Sequence, residues 1–320
     1  MSATRSPLIG GPAATVLAAS IARRYYLEGA TKSAIADEFG LSRFKVARLL
    51  EQARASGLVR IELHYDGDID LDLSTRLRDR YGLRRCLVSD STATDDVALR
   101  AGLGRTAADL LSEIVTATDV VGLAWSRTLL SMRSALRSLA PCTVVQLTGA
   151  LSRPGVDESS IELVRDVARI AGGAGYWFYA PMILSEPSSV RSLLAQSEVA
   201  RAFERFGALT VAMLSIGAWD PTQSTVAAAI GEAEYAELAR LGVCAEMGGI
   251  QLDVDGRPVR TPLSERNVGI DAERLRAVPE IIVTAYGRAK ARAVRAAIRG
   301  GLVTSLVTHA SLAEELLRIA

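Results

Sequence analysis

The chain has 320 residues, a formal net charge of +1 and three cysteines. This length predicts two domains, and a hydrophobic fraction of 49% with 23% charged residues is typical of a globular protein. No apolar run reaches the roughly 18 residues that a membrane-spanning helix needs, so we predict a cytoplasmic protein without a membrane partner. The wide spacing of Cys86, Cys142 and Cys244 excludes a Cys-x-x-Cys motif. We expect buried free thiols, no metal and no cofactor.

The chain begins with a short tail and a helix. Residues 1–12 contain Gly, Pro and Ser and lack the apolar core of a secretion signal, so we expect a disordered tail. A first helix is predicted from about Ala14 to Leu27. It precedes the most informative stretch of the sequence and is expected to pack across it.

Residues 31–63 predict a helix, a tight turn, a second helix and a short strand. Ala34, Ile35 and Phe39 give the first of these helices an apolar face that we expect to be buried. Gly40 can end it because glycine readily adopts a positive φ, and Ser42 is a typical N-cap for the next helix. The second helix has apolar residues at helical spacing, Val46, Leu49, Leu50 and Ala53. This pattern is typical of a helix-turn-helix.

The start of the second helix is the part of a helix-turn-helix that meets base edges in the major groove. We therefore predict six DNA-contacting residues, Lys32, Ser42, Arg43, Phe44, Lys45 and Arg48. The alternating stretch Leu58–Leu63 favours a winged helix. Residues 1–65 hold nine Lys or Arg against five Asp or Glu, so the positive charge is concentrated in this module. The alternative is a helical hairpin with a solvated basic face.

An Asp- and Gly-rich linker, Tyr65 to Asp70, precedes an amphipathic helix predicted from Leu71 to Tyr81. This helix suits both a cap on the second domain and a connector that transmits a signal.

From residue 85, short apolar runs predict buried strands over Cys86–Val88, Asp119–Leu123, Thr143–Leu147, Tyr176–Tyr179, Leu209–Leu214, Glu280–Thr284 and Ser305–Val307. Helices are predicted between them over Asp96–Ile114, Thr128–Leu139, Ile161–Ala171, Glu198–Phe206, Ala233–Leu241 and Ala289–Ile298. This alternation predicts an α/β domain with a parallel sheet covered on both faces.

Ligands of such sheets bind beyond the carboxyl ends of the strands. Ser126, Arg127 and Thr128 follow the second predicted strand and begin a helix. Hydroxyl groups, a helix N-terminus and a guanidinium together suit a phosphate or carboxylate. A simple N-cap with a surface arginine is the alternative.

Three further residues are candidates for the same ligand site. Lys290 lies in the first turn of a predicted helix, where a cation is unfavourable without an anion nearby. Gln146 closes the third strand and can bind a hydroxyl group, and Glu246 can accept hydrogen bonds from sugar hydroxyls. Each residue also suits a role without ligand binding: Lys290 as a solvated lysine, Gln146 as a polar residue at a strand end, and Glu246 as a surface acid.

These segments together resemble the SorC/DeoR-type sugar-binding transcriptional regulators of bacteria, over about Tyr25 to Leu317. The helix-turn-helix module matches in TKSAIADEFGLSRFKVARLLEQARASGLVRI. The α/β domain matches in VVGLAWSRTL, VVQLTGAL, GALTVAMLSIGAW, LDVDGRPV and AYGRAKARAVRAAIRGGLVTSLVTHASLAEELL. The resemblance implies a winged helix-turn-helix over 13–64, a linker with a connector helix over 65–84, and an effector domain over 85–320 similar to sugar-phosphate isomerases.

The resemblance also implies a function. It implies a homotetrameric repressor or activator that binds a palindromic operator in double-stranded DNA and responds to a sugar, polyol or sugar phosphate. Ser126, Arg127 and Thr128 would form the phosphate cradle, while Gln146, Glu246 and Lys290 would face the sugar and its phosphate. The alternatives are a sugar-phosphate isomerase-like enzyme that carries a DNA-binding head, and a nucleoid protein that binds DNA without regard to sequence.

The chain departs from the family pattern near this cradle. Ala124 and Ser126 flank the Trp where the family usually has glycines, and Tyr286 stands where the family has another glycine. His309 follows Thr308 where the family usually has an acid. Larger side chains reduce the space for a phosphate, so the sequence leaves open an unusual or unphosphorylated effector.

Overall fold

The computed structural model describes residues 11–61, 68–91, 95–151 and 159–319. The chain divides into two compact units, Met1–His64 and Tyr65–Ala320, and each is described by itself. Most of the predicted tail lies outside the described residues, but Pro12 already begins the first helix. None of the described helices is both long and apolar enough to cross a membrane.

The smaller unit contains three helices, α1 (Pro12–Tyr26), α2 (Lys32–Phe39) and α3 (Arg43–Ala55). Gly40 has a φ of 64° and ends α2, and the Ser42 hydroxyl accepts a hydrogen bond from the Lys45 N–H at 3.2 Å. Both local predictions are therefore correct. The helices share one core, built from Ala18, Ile21, Ala22, Ile35, Ala36, Val46, Leu49 and Leu50. Ala36 takes the buried position that was predicted for Ala34, which is exposed.

The predicted wing strand does not form over its described part. Leu58–Ile61 contain no strand, and Glu62 and Leu63 lie outside the described residues. The Val59 N–H donates to the Ala53 carbonyl at 2.9 Å, and the Val59 side chain packs against the three-helix core. The chain therefore closes back onto α3 at this point, where a strand would need a neighbouring strand as its hydrogen-bond partner.

The larger unit alternates strands and helices along the chain. Its strands are β1 (Arg85–Ser89), β2 (Val120–Leu123), β3 (Thr143–Gln146), β4 (Gly175–Tyr176), β5 (Val211–Ser215), β6 (Gly217–Ala218), β7 (Ala245–Met247), β8 (Ile250–Leu252), β9 (Glu280–Ala285) and β10 (Ser305–His309). Its helices are α4 (Leu71–Tyr81), α5 (Asp96–Ile114), α6 (Arg127–Ala135), α7 (Ser160–Ala171), α8 (Pro187–Leu194), α9 (Ser197–Glu204), α10 (Glu232–Arg240), α11 (Pro262–Arg266), α12 (Ala272–Arg276), α13 (Ala291–Arg299) and α14 (Ala310–Ile319).

Seven strands form one parallel sheet in the order β1-β10-β9-β5-β2-β3-β4. The predicted α/β class with a parallel sheet is therefore confirmed. From β2 the chain adds β3 and β4 on one side, and it then returns to place β5 on the other side of β2. This reversal opens a crevice at the carboxyl ends of β2 and β5, where ligands of doubly wound sheets bind. The remaining strands, β6, β7 and β8, form a small antiparallel sheet.

Alternate residues of the sheet enter two separate cores. Val211 and Met213 of β5 face one core with α5, α6 and α7, whereas Ala212 and Leu214 face the other with α4, α13 and α14. Since successive side chains of a strand point to opposite faces, continuous apolar runs such as this one are needed when both faces are covered.

The helix α4 packs as part of the larger unit. Tyr81 donates from its hydroxyl to the Leu316 carbonyl at 2.8 Å, and the Val88 N–H donates to the Ser74 hydroxyl at 2.9 Å. Leu77 of α4 is fully buried. These contacts match the interpretation of this helix as a cap on the second domain.

Two elements end three or more residues before the end that the sequence predicts. The strand predicted over Tyr176–Tyr179 ends at Tyr176, because the Phe178 N–H donates to the buried Gln146 side chain at 3.1 Å instead of to a strand. The helix predicted to reach Leu139 ends at Ala135, since Leu136 takes an extended conformation and is buried. The C-terminal helix α14 was not among the predicted helices.

The contact between α5 and α6 depends on a glycine. A Cβ atom added at Gly104 would lie 2.7 Å from the backbone carbon of Ser131. We predict that Gly104→Ala destabilises the larger unit by about 1–3 kcal/mol, because the backbone of α6 must shift to admit the methyl group. Urea unfolding checks this value. Gly207→Ala is the control, since nothing lies within 4 Å of its added Cβ; equal stabilities of the two variants would contradict the prediction.

Candidate functional site

A cavity of about 370 Å³ lies at the carboxyl ends of β2, β5 and β9. Its size falls within the range of small-molecule sites, about 300–1,000 Å³. Five of the six predicted effector-binding residues line it, namely Ser126, Arg127, Thr128, Glu246 and Lys290. The strand order brings them together at the crevice that the reversal of the chain between β4 and β5 creates.

The N-terminus of α6 forms one wall. Ser126 is its N-cap, and the Ser126 hydroxyl accepts from the Leu129 N–H at 3.1 Å and from the Ser215 hydroxyl at 2.8 Å. A hydroxyl has one donor and two acceptor positions, so the Ser126 proton remains to be donated. The first N–H groups of a helix have no partner within the helix and favour an anion. This wall is therefore a set of hydrogen-bond donors.

A row of hydroxyl groups joins the ends of two strands to the N-cap of α6. Ser215 ends β5 and lies 2.7 Å from the Thr284 hydroxyl near the end of β9. Through its bond to Ser126, this row also reaches the loop after β2. The row ties the N-cap of α6 to the centre of the sheet and holds the Ser126 hydroxyl in one position.

Glu246 is a buried carboxylate in the lining of the same cavity. It lies on β7, accepts from the Gly249 N–H at 2.8 Å and from the Ser224 hydroxyl at 3.2 Å, and is 6% exposed. Burial raises the pKa of Glu246, while these hydrogen bonds and the charge of Lys290 act in the opposite direction. The carboxyl group is thus held rigidly at the cavity surface, where it can meet ligand hydroxyls.

Lys290 and Arg127 supply positive charge to the cavity. Burial is the main cause that lowers the pKa of Lys290; Glu246 raises it, and the nearby Arg127 lowers it further. The Lys290 ammonium lies 5.4 Å from the centre of the Tyr286 ring. Among the described residues, neither Arg127 nor Lys290 has a carboxylate in an ion pair with it, so an anionic ligand would relieve their repulsion.

Gln146 is not in the cavity, which corrects its predicted place there. Its amide nitrogen donates to the Thr148 carbonyl at 2.8 Å and to the Ser160 hydroxyl at 3.0 Å, and its carbonyl oxygen accepts from the Phe178 N–H. The side chain is fully buried. Its polar atoms satisfy interior groups around β3 and β4, as a buried amide requires.

The structure adds cavity residues that sequence reasoning missed. Arg100 on α5 donates to the Tyr286 hydroxyl at 3.1 Å and lies 3.6 Å from the Asp96 carboxylate. Ser215 had a visible signal, since it is polar at a strand end, but Arg100 is an ordinary helical arginine in the sequence. Tyr286 thus holds Arg100 at the cavity wall, and the cavity remains open beside it.

His309, the residue at the family's usual acid position, lies outside the lining of this cavity. Its Nε2 is 2.9 Å from the Ser91 carbonyl and its Nδ1 is 3.0 Å from the Ser311 hydroxyl. The imidazole therefore ties the end of β10 to the segment that follows β1.

The six residues predicted to contact DNA lie on α2 and α3 or at the N-cap of α3. Arg43, Phe44, Lys45 and Arg48 are exposed, whereas Lys32 is half-buried with its ammonium 5.6 Å from the Tyr25 ring centre. The buried face of α3 points into the three-helix core. The start of α3 is thus an open, basic surface.

Comparison with known proteins links the chain to one family. A family model described as "Putative sugar-binding domain" matches residues 67–318. The erythritol catabolism regulatory protein EryD of Brucella abortus (strain 2308) is 29% identical, with 94% of this chain and 96% of that protein covered. The sorbitol operon regulator of Klebsiella pneumoniae is 26% identical, with 94% and 98% covered.

The fold is also that of a solved protein. The crystal structure of the full-length sorbitol operon regulator SorC from Klebsiella pneumoniae matches with a TM-score of 0.72 and 24% identity, and the match covers 95% of this chain and 99% of that one. The similarity therefore extends over both units of the chain.

The lowered pKa of Lys290 yields a stability prediction. Its ammonium form is less favourable in the folded than in the unfolded protein, so we expect Lys290→Met to raise the thermal unfolding midpoint of the ligand-free protein near neutral pH. The gain should shrink as pH rises through the folded pKa towards the ordinary value of 10.5, because the wild-type lysine then becomes neutral in the fold.

Differential scanning calorimetry at several pH values measures this effect. Lys45→Met, which removes an exposed lysine, is the matched control and should give no such pH-dependent difference. A lower midpoint for Lys290→Met than for wild type near neutral pH would contradict the prediction.

Proposed function

This chain belongs to the SorC-type sugar-binding transcriptional regulators, and from that premise we propose how its two units work. The smaller unit binds operator DNA through α3. The cavity of the larger unit binds a sugar, a polyol or a sugar phosphate that changes the affinity for DNA. The observation that carries the proposal is the cavity itself, which is lined by a donor-rich helix N-terminus, by the cations Arg127 and Lys290, and by the buried Glu246 carboxylate.

The surface of α3 supports the DNA-binding role. Arg43, Lys45 and Arg48 are exposed at the part of the second helix that enters the major groove in helix-turn-helix proteins. Arg and Lys there attract phosphates and can bond guanine edges. Ser42 and Lys32 lie beside this surface, where the backbone of the DNA passes.

The cavity chemistry supports a ligand with two different ends. An anionic group fits between Arg127, Lys290 and the N–H groups that begin α6. Hydroxyl groups fit beside Glu246, whose carboxylate is an acceptor. A phosphorylated sugar or polyol has both ends, and the cavity volume of about 370 Å³ admits one. The names of the matched relatives, which refer to sorbitol and erythritol, agree with a polyol or sugar skeleton.

Regulation follows from population shift. The effector changes operator affinity only if it binds the DNA-binding arrangement and the alternative arrangement with different affinities. A palindromic operator presents two equivalent half-sites about one helical turn apart, so the smaller units of two subunits must bind together. We propose that a homotetramer supplies these two DNA-binding units. A non-enzymatic role is supported by the relatives, which are transcriptional regulators matched over nearly the whole chain.

The DNA-binding role is testable by substitution on α3. We expect Arg43→Ala or Lys45→Ala to weaken binding to operator DNA about tenfold or more, because each removes a charged contact, with little change in fold. Fluorescence anisotropy on DNA from upstream of this protein's own gene measures the effect. Arg54→Ala is the control, since Arg54 lies in the last turn of the same helix. Unchanged binding by both variants would contradict the assignment.

The effector site is testable by ligand-induced stabilisation. A panel of sugar phosphates, free sugars and polyols is screened for compounds that raise the thermal midpoint of the full chain. We expect Arg127→Leu and Thr128→Val to lose most of the shift caused by the active compound. Arg191→Leu, an exposed arginine outside the cavity, should keep it. Equal shifts in all three variants would show that the compound binds elsewhere.

A further inference from the structure

Phe44 is an apolar side chain that the fold leaves in water. It is 88% exposed, the highest value among the large hydrophobic side chains of the described residues. It takes no part in the three-helix core, which α3 joins through its opposite side. A single exposed apolar side chain is common on protein surfaces, so the meaning of Phe44 depends on where the ring lies on α3 and on what surrounds it.

Phe44 lies on the outward face of α3. The buried residues Val46, Leu49, Leu50 and Ala53 define the inner face. At 3.6 residues per turn, Phe44 points about 170° away from the centre of that face, and Arg48, four residues later, lies beside it. Both side chains are exposed. The ring therefore sits at the centre of the surface that α3 presents to a partner.

The surroundings of the ring select the kind of partner. Arg43, Lys45 and Arg48 surround Phe44, and no acidic residue lies within the first two turns of α3. This charge favours a polyanion over an apolar protein surface. Within the major groove, the apolar group that base pairs present is the C5-methyl group of thymine, and Phe is one of the side chains that contact it.

We propose that Phe44 is a specificity-determining residue that contacts the methyl group of a thymine in each operator half-site. The inference rests on the proposed DNA-binding function and adds a base identity to it. The ring is removed from water by this contact, so the methyl group contributes to affinity through apolar burial. The cations around the ring hold the helix against the phosphates and carry no such preference for thymine.

The test begins with the full chain and a library of randomised DNA duplexes. Rounds of selection yield a consensus, and each consensus thymine is then replaced singly by uracil, which keeps every base-pair hydrogen bond and lacks only the methyl group. Anisotropy titrations measure wild type, Phe44→Ala and the control Leu27→Ala. Leu27 is 79% exposed in the same unit and lies outside the helix α3.

We expect one thymine in each half-site at which uracil weakens wild-type binding about fourfold, the factor that corresponds to burial of one methyl group. Phe44→Ala should bind the thymine duplex correspondingly more weakly and should not distinguish thymine from uracil there. Leu27→Ala should behave as wild type. Since Phe44 and Leu27 are exposed, neither substitution removes core packing.

Two results would overturn the inference while the regulator function stands. One is a Phe44→Ala variant that still prefers thymine as strongly as wild type at every position. The other is a change in oligomeric state without any change in the thymine-to-uracil ratio, which would assign the ring to a protein contact. A library from which no sequence is enriched would instead overturn sequence-specific binding, and this inference with it.

Discussion

The parallel pairing of β5 with both β2 and β9 is the constraint on which the cavity depends. Parallel strands end at the same edge of a sheet, so this pairing brings Ser126, Ser215 and Thr284 into one hydrogen-bonded row although they are far apart in sequence. The row fixes the N-cap of α6, and with it the direction in which the first N–H groups of α6 point. A different strand order would leave the same residues without a common ligand.

The cavity holds charged groups whose burial is unfavourable in the ligand-free fold. Glu246 is buried, Lys290 is half-buried, and burial shifts both pKa values against the charged forms. Arg127 adds like charge beside Lys290. Such groups are retained in functional sites because a ligand of matching charge and hydroxyl pattern satisfies them. A ligand that satisfies these groups can gain binding energy from them, since their burial is unfavourable without it.

The smaller unit follows a related principle on its surface. Only one side of α3 packs into the three-helix core. The other side is exposed, so its side chains can contact a binding partner. That side combines guanidinium and ammonium groups with one exposed phenyl ring. Positive charge supplies attraction to any DNA, whereas base edges are distinguished by shaped contacts of individual side chains.

The helices, caps and turns could be predicted from the sequence, because each depends on residues a few positions apart. The α2–turn–α3 pattern, Ser42 as a cap, the apolar strands and the Ser126–Thr128 junction are all of this kind. Only the tertiary structure decided that the Gln146 side chain points into the protein interior and that β4 stops at Tyr176. It also decided that Arg100 reaches the Tyr286 hydroxyl. The physical reason is that a polar side chain points to whichever donor or acceptor the fold brings near it, and those partners lie far away along the chain.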